Sequence, residues 1–310
     1  MKAVVCTRWG PPEVLQVAEV KRPAPRKGEV RIRIFATAVT VSDCIVRGLK
    51  APLRYRILAR LLLGLRGPRR PIFGMVLAGD IDCVGRDVKS FQPGDQVFGL
   101  SRWKAGCYAE YVCWSADTLL APRPTNLSHE EAAALPYGGL LAAHLMRRAE
   151  IQLGQRVLVY GASGAIGTAT VQLAKYFGAR VTGVCSTRNL ALVESLGAEA
   201  VVDYTREDFT SRAECYDVII DAVGRRKSAK ALLRAGDALT PGGKSISIDD
   251  NFAKLHTEDL LLLKRLAESG ELKPVIDRSY PLEEMVEAHR YVEQGHKQGN
   301  VIVTVEHADT

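Results

Sequence analysis

The chain lacks several features that would fix its class at once. None of its apolar runs is long enough to span a bilayer. Its first residues, Met1-Lys-Ala-Val-Val-Cys-Thr-Arg8, read as a strand, without the apolar core and cleavage site of a signal peptide. Together these absences lead to the expectation of a cytoplasmic protein. The seven cysteines, at 6, 44, 83, 107, 113, 185 and 215, include no C-x-x-C pair. An odd, scattered set suits reduced thiols and excludes a disulfide frame. The six histidines, at 129, 144, 256, 289, 296 and 307, show no metal-ligand spacing, and no Ser/His/Asp arrangement stands out. Acidic residues are missing altogether from one stretch: Arg47 to Arg70 holds eight basic residues and no carboxylate. The whole chain carries +7, so the remainder stands at −1. The basicity is therefore local and makes a poor argument for nucleic-acid binding.

What is present begins with a β-branched, apolar run, Arg156-Val-Leu-Val-Tyr160, that meets three glycines spaced three apart in Gly161-Ala-Ser-Gly-Ala-Ile-Gly167. An amphipathic helix pattern follows to Phe177, and then a second apolar run, Arg180 to Ser186. This order places a pyrophosphate on a helix N-terminus. Gly161 permits the tight turn, Gly164 lets the backbone approach the phosphates, and Gly167 lets the helix pack on the strand. Ala162, Ser163, Ala165 and Ile166 complete the candidate dinucleotide cradle.

Around this unit the pattern divides. Residues 1–117 read as β-rich, with strands at Lys2–Thr7, Val14–Val20, Glu29–Thr37, Gly79–Cys83 and Tyr108–Trp114 and helical interruptions at 43–48 and 55–65. Residues 118–276 alternate strand and helix, which implies a parallel sheet with helices on both faces. A capping box, Ser128 with Glu131, opens the first of its helices, and Pro274–Ile276 reads as its last short strand. Residues 277–310, with a helix at 282–294 and a strand at 301–305, are expected to return to the first domain.

The end of the second strand of the dinucleotide unit decides the cofactor. An NAD-type unit carries a carboxylate there, for the ribose 2′-hydroxyl. Here the place reads Cys185-Ser186-Thr187-Arg188. Hydroxyls and a guanidinium hold a 2′-phosphate by charge-assisted hydrogen bonds, whereas a carboxylate repels it. The expected cofactor is NADPH, with Ser186, Thr187 and Arg188 as contacts and Tyr204 nearby. In the plainer reading, Arg188 merely caps or solvates the next helix.

Motifs along the chain carry a resemblance: Met1-Lys-Ala-Val-Val5, Pro93-Gly-Asp-Gln-Val97, Gly106-Cys-Tyr-Ala-Glu-Tyr111, Glu131-Ala-Ala-Ala-Leu-Pro136, Val159 to Gly167, Gln172-Leu-Ala-Lys175, Ser195-Leu-Gly-Ala198 and Asp221-Ala-Val-Gly224. In this order and spacing the chain resembles the zinc-free medium-chain dehydrogenase/reductase superfamily, quinone oxidoreductase branch. The resemblance implies an α/β protein with a GroES-like β-rich catalytic domain and a doubly wound Rossmann domain, an active site in the cleft between them, and a homodimer. Zinc-dependent relatives carry a cysteine where this chain has Thr40, and Gly-His-Glu where it has Gly74-Met75-Val76. Thr, Met and Val are not credible zinc ligands, so no metal is expected.

Without a metal, the expected chemistry is NADPH-dependent hydride transfer to a quinone or an α,β-unsaturated carbonyl. Enoyl-thioester reduction, zinc-free alcohol dehydrogenation, and NADPH binding without turnover as a sensor are the alternatives. Family members place an asparagine and then a tyrosine or lysine beside the substrate; the matching places here are Thr40, which can donate a hydrogen bond, and Ile45, which cannot. Asp43 reads first as a helix-start cap. Tyr137 is an alternative donor, with a packing role as its rival. The resemblance puts Val223 and Gly224 at the ribose or adenine edge of the cofactor and Ser247 near the nicotinamide. For Arg47–Arg70 three readings stand: a solvated helical lid, a peripheral membrane contact, and nucleic-acid binding, the last disfavoured by a single aromatic, Tyr55.

Overall fold

The computed structural model describes residues 1–50, 53–102, 104–211, 215–232 and 234–307. They form two compact units, Met1–Pro136 with Ile276–Thr310, and Tyr137–Val275.

The first unit opens with β1 (Lys2–Cys6) and β2 (Leu15–Glu19), an antiparallel pair. The long strand β3 (Glu29–Val39) follows, its Val30, Ile32 and Ile34 fully buried while the residues between them are not. This period of two is what a half-buried strand requires. Next come α1 (Val41–Arg47), α2 (Leu53–Leu63), β4 (Val76–Val84), β5 (Gln96–Leu100), β6 (Tyr111–Ser115), β7 (Leu119–Pro122) and α3 (His129–Ala133). Ser128 caps α3 in the expected box, accepting from the Glu131 amide while the Glu131 carboxylate accepts from the Ser128 amide.

The second unit alternates: α4 (Pro136–Ala149, its first residue in the first unit), β8 (Arg156–Tyr160), α5 (Ala165–Tyr176), β9 (Arg180–Cys185), α6 (Leu190–Ser195), β10 (Ala200–Asp203), β11 (Tyr216–Asp221), α7 (Arg225–Leu232), β12 (Leu239–Ser247) and α8 (Thr257–Glu268). Its strands are parallel in the order β10-β9-β8-β11-β12. Val157, Leu158 and Val159 have no exposure, as a parallel strand covered on both faces demands. The order reverses at β8, and all five carboxyl ends lie along one edge, where ligands of such sheets bind. Among the described residues, nothing pairs with the outer edge of β12.

The chain then returns to the first unit as β13 (Ile276–Pro281), α9 (Met285–Gln294) and β14 (Asn300–Thr304). Strand β14 pairs antiparallel with β3, and β13 pairs parallel with β14. The resulting mixed sheet runs β13-β14-β3-β4-β5-β7, with β6 also on β3.

Two expectations change. The division drawn after residue 117 falls at Pro136/Tyr137 instead, because β7 hydrogen-bonds to β5 and α3 packs on β3 and β4. The strand read at 274–276 is not part of the parallel sheet: it begins at Ile276 and takes β14 as its partner. Sequence periodicity marks a strand but does not choose its neighbour.

Candidate active site

The glycine turn is built as its spacing requires. Gly161 has φ +79°, and a Cβ there would sit 2.4 Å from Val223 Cγ1. The Gly161 and Ala162 amides donate to the Val184 carbonyl, tying the turn to β9. A Cβ on Gly167 would stand 2.1 Å from the Gly161 carbonyl oxygen, so α5 touches the turn with no room for a methyl group. Gly138, in α4, comes equally close to the Ala165 carbonyl at the first turn of α5; nothing local in the sequence marks that approach. Gly164 is the N-cap of α5 and offers no side chain to cap it. A Cβ there would meet only the Gly161 oxygen, at 3.8 Å. Open space over the uncapped N-terminus of a twelve-residue helix is a cradle for an anion.

Beside it lie the ends of β9 and β10. The Tyr204 amide donates to the Cys185 carbonyl, bringing Tyr204 next to Ser186, Thr187 and Arg188. Thr187, Arg188 and Tyr204 are exposed and Ser186 half-buried. Asn189, unremarked in the sequence reading, joins the two parts: its buried amide donates to Ser163 Oγ at 2.9 Å and to Ser186 Oγ at 3.2 Å. The structure also supplies a carboxylate that β9 lacks. Asp203 lies opposite Cys185 in the parallel register and accepts from the Thr187 and Thr205 hydroxyls and the Thr205 amide. Those bonds, led by Thr187, hold its pKa below the ordinary value, and Arg206 lies 3.6 Å away.

At the ends of β11 and β12 a second carboxylate organises the backbone. Asp221 is fully buried and accepts from the Val223 and Gly224 amides at 3.1 Å each. Its other oxygen accepts from the Ser228 and Ser247 hydroxyls at 2.7 Å each. Ser247 is thus the donor to Asp221, and its amide donates to Asp250, which also pairs with Arg225 and Arg148. A carboxylate closing an apolar strand just before Val-Gly was the legible signal for this hub.

In the first unit, Thr40 is the N-cap of α1. Its hydroxyl donates to Asp43 Oδ2 at 2.6 Å and accepts from the Asp43 amide, while the Thr40 amide also donates to that carboxylate. The proton that the sequence reading offered to a substrate is engaged within the cap. Complete burial raises the Asp43 pKa despite the bonds from Thr40. The Tyr108 hydroxyl lies against the same carboxylate without an aligned hydrogen bond. Val76 is buried within β4, and Thr40, Met75 and Val76 offer no thiolate, imidazole or carboxylate, so this place does not fit zinc. Nearby, Cys44 Sγ lies 3.3 Å from His289 Nδ1. Burial pushes the thiol up to about 12 and the imidazole down to about 3, so the pair is neutral. Ile45 is exposed. Tyr137, half-buried, follows Pro136 at the head of α4.

A doubly wound parallel sheet, a glycine turn and an uncapped helix beneath it define a dinucleotide-binding protein of two units. Residues 26–125 match the alcohol dehydrogenase GroES-like domain, and residues 196–303 the family described as zinc-binding dehydrogenase. A 2-methylene-furan-3-one reductase of Solanum lycopersicum is 33% identical over 322 residues, covering 98% of this chain and 79% of that protein. An NADPH-dependent alkenal/one oxidoreductase, chloroplastic, of Arabidopsis thaliana is 30% identical with the same coverage. The solved quinone oxidoreductase of Coxiella burnetii superimposes with a TM-score of 0.84 at 28% identity, covering 99% of each chain. The chain belongs to the medium-chain dehydrogenase/reductase superfamily, in its quinone oxidoreductase branch, and is an oxidoreductase that uses a nicotinamide cofactor.

Proposed function

We propose that the chain reduces quinones or α,β-unsaturated carbonyl compounds and prefers NADPH. The observation that carries the cofactor half is the uncapped N-terminus of α5 under the Gly161–Gly167 turn, flanked by the Ser186–Arg188 end of β9. The names of the relatives above, two reductases of conjugated carbonyls and a quinone oxidoreductase, support the substrate half.

In this reading, a bound reduced nicotinamide supplies the hydride. The first-turn amides of α5 and the turn from Gly161 through Ala162, Ser163, Gly164, Ala165 and Ile166 to Gly167 hold the pyrophosphate. Ser186, Thr187, Arg188 and Tyr204 receive the 2′-phosphate. Val223, Gly224 and Ser247, set by Asp221, frame the ribose and the nicotinamide end. The hydride would add to the β-carbon of an enone, the electron pair of the double bond would move onto the carbonyl oxygen as an enolate, and solvent water would supply the proton to the α-carbon. Tyr137 is assigned as the donor that stabilises the enolate. Thr40 passes from donor to positioning residue, since its hydroxyl bonds Asp43.

One observation favours NADH instead: the Asp203 carboxylate lies beside Thr187. Its three protein donors and Arg206 offset that charge, which leaves Arg188 to decide. The working form in this reading is a homodimer in the cytosol, supported by the open edge of β12 and by seven unpaired cysteines. Light scattering on a sizing column reads the mass directly.

The decisive experiment mixes the protein with NADPH or NADH and a panel of quinones and enones, and follows loss of the reduced nicotinamide absorbance. Turnover of at least one acceptor class, faster with NADPH, is expected. Tight NADPH binding without turnover of any acceptor would overturn the enzymatic reading in favour of a sensor.

A further inference from the structure

The segment 53–70 carries no carboxylate and six arginines. Its helix α2 presents Ile57, Leu58, Leu61 and Leu62 within one arc of about 140°, at the 100° per residue of an α-helix. All four are exposed, from 52% for Leu61 to 71% for Ile57, and Leu65 beyond the helix is 66% exposed. The apolar face is not the frayed end of a loose loop. Trp9 Nε1 donates to the Gly64 carbonyl at 2.9 Å, Arg69 to the Leu61 carbonyl at 3.1 Å, and Gly67 packs on the Thr7 backbone too closely to admit a Cβ. The helix end is fixed to the body while the leucine row faces away from it. Arg60, Arg66 and Arg69 are exposed and make no ion pair with a carboxylate among the described residues.

Two residues drop out of the basic stretch read from the sequence. Arg47 is completely buried and bonds Glu293 at 2.6 Å, and Lys50 bonds the same carboxylate at 2.7 Å. The exposed feature is therefore α2 and the bend after it, an apolar row bordered by uncompensated guanidinium groups.

We propose that this face docks on the surface of an anionic lipid bilayer, with the leucine row in the headgroup–acyl boundary and the arginines on the phosphates. Charge chooses the occupant. A second copy meeting the first across a two-fold axis would set the same arginine group against itself, with no carboxylate in the segment to relieve it. Nucleic acid would engage the arginines but leave the leucines in water. A negatively charged bilayer satisfies both halves of the surface together. The docking does not depend on the reductase reading, and it would bring apolar, lipid-borne acceptors to the enzyme.

The test is co-sedimentation of the full chain with phosphatidylcholine vesicles, with and without phosphatidylserine, at low and high salt. Sedimentation with the anionic vesicles alone, falling more than about tenfold as salt shortens the screening length, is expected. Leu61→Glu with Leu62→Glu, and separately Arg60→Glu with Arg66→Glu, should each abolish it. These positions are exposed, so NADPH affinity and melting temperature stay unchanged and report an intact fold. No sedimentation at low salt overturns the proposal, as does equal sedimentation of wild type and variants. A dimer that the leucine variant dissociates, with vesicle binding untouched, overturns it in favour of a second copy; retention by DNA in place of vesicles overturns it in favour of nucleic acid.

Discussion

At Gly167 the missing side chain is the functional group. A methyl there would overlap the Gly161 carbonyl oxygen and press on Ala162, both backbone, so neither yields by turning a rotamer. Gly167→Ala should cost about 2 kcal/mol or more and weaken nucleotide binding; thermal melting and fluorescence titration with NADPH read the two effects. Arg188 is a residue of charge rather than shape. Arg188→Glu should raise the KM for NADPH about tenfold or more while leaving that for NADH nearly unchanged; a flat KM for NADPH would remove Arg188 from the site. Asp203→Asn should shift the ratio toward NADPH by removing a carboxylate beside Thr187. The glycines and Arg188 are legible because each stands in a local strand–turn–helix pattern. Asp203 and Asn189 are not, because the parallel pairing of β9 with β10 and the fold of the turn bring them in. The commitment of the Thr40 proton lay half in view: the Thr-x-x-Asp spacing announces a capping box, and a capping hydroxyl is already in use.

Elements are held to the site by a few buried acceptors. Asp221 ties the end of β11 to the turn at Val223–Gly224, to α7 through Ser228 and to β12 through Ser247. Asp221→Ala strands four donors in or near the interior and should cost about 3 kcal/mol. Its nucleotide dissociation constant should rise further than stability loss alone explains, checked by titration well below the melting temperature. The start of α1 is a second such joint. Thr40→Val removes the cap and should cost about 1 kcal/mol, while Thr40→Ser keeps both stability and turnover, as a positioning role demands. Tyr137→Phe should instead lower kcat far more than any change in melting temperature accounts for, read by steady-state kinetics beside thermal melting. Most elements were legible from periodicity. Strands β5 and β7 were not read, and the strand read at 274–276 was assigned to the wrong sheet because the partner of β13 is β14, distant in sequence from the parallel sheet, information that no local window contains.

For the molecule as a whole, buried titratable groups in the first unit set the response to pH. In the folded chain the His289 imidazole, in apolar surroundings and near Arg47, titrates at about 3, against an ordinary 6.5. The unfolded chain takes up that proton first. Stability is therefore full above about 6.5 and falls as pH drops from there toward about 3. His289→Gln should flatten that part of the curve relative to wild type in urea unfolding across a pH series. Asp43 works in the opposite sense: burial raises its pKa, so its contribution is present at low pH and is lost as pH rises through the folded value. The two-unit plan was readable in the change from β-rich to alternating pattern. The place of the boundary was not, because β7 and α3 join the first unit through sheet pairing and packing on it.

The pairing of Val301 with Val39 has a consequence for synthesis. A growing chain makes β3 well before β14, with the whole of Tyr137–Val275 between them. The second unit can finish on the ribosome while the Ala36–Val39 stretch of β3 still waits for β14, a short bare edge of the kind that recruits other nascent chains. Arrival of β14, rather than collapse of either half, becomes the step at which this sheet is completed, and the yield of active enzyme from a cell should follow the supply of chaperones that cover that edge.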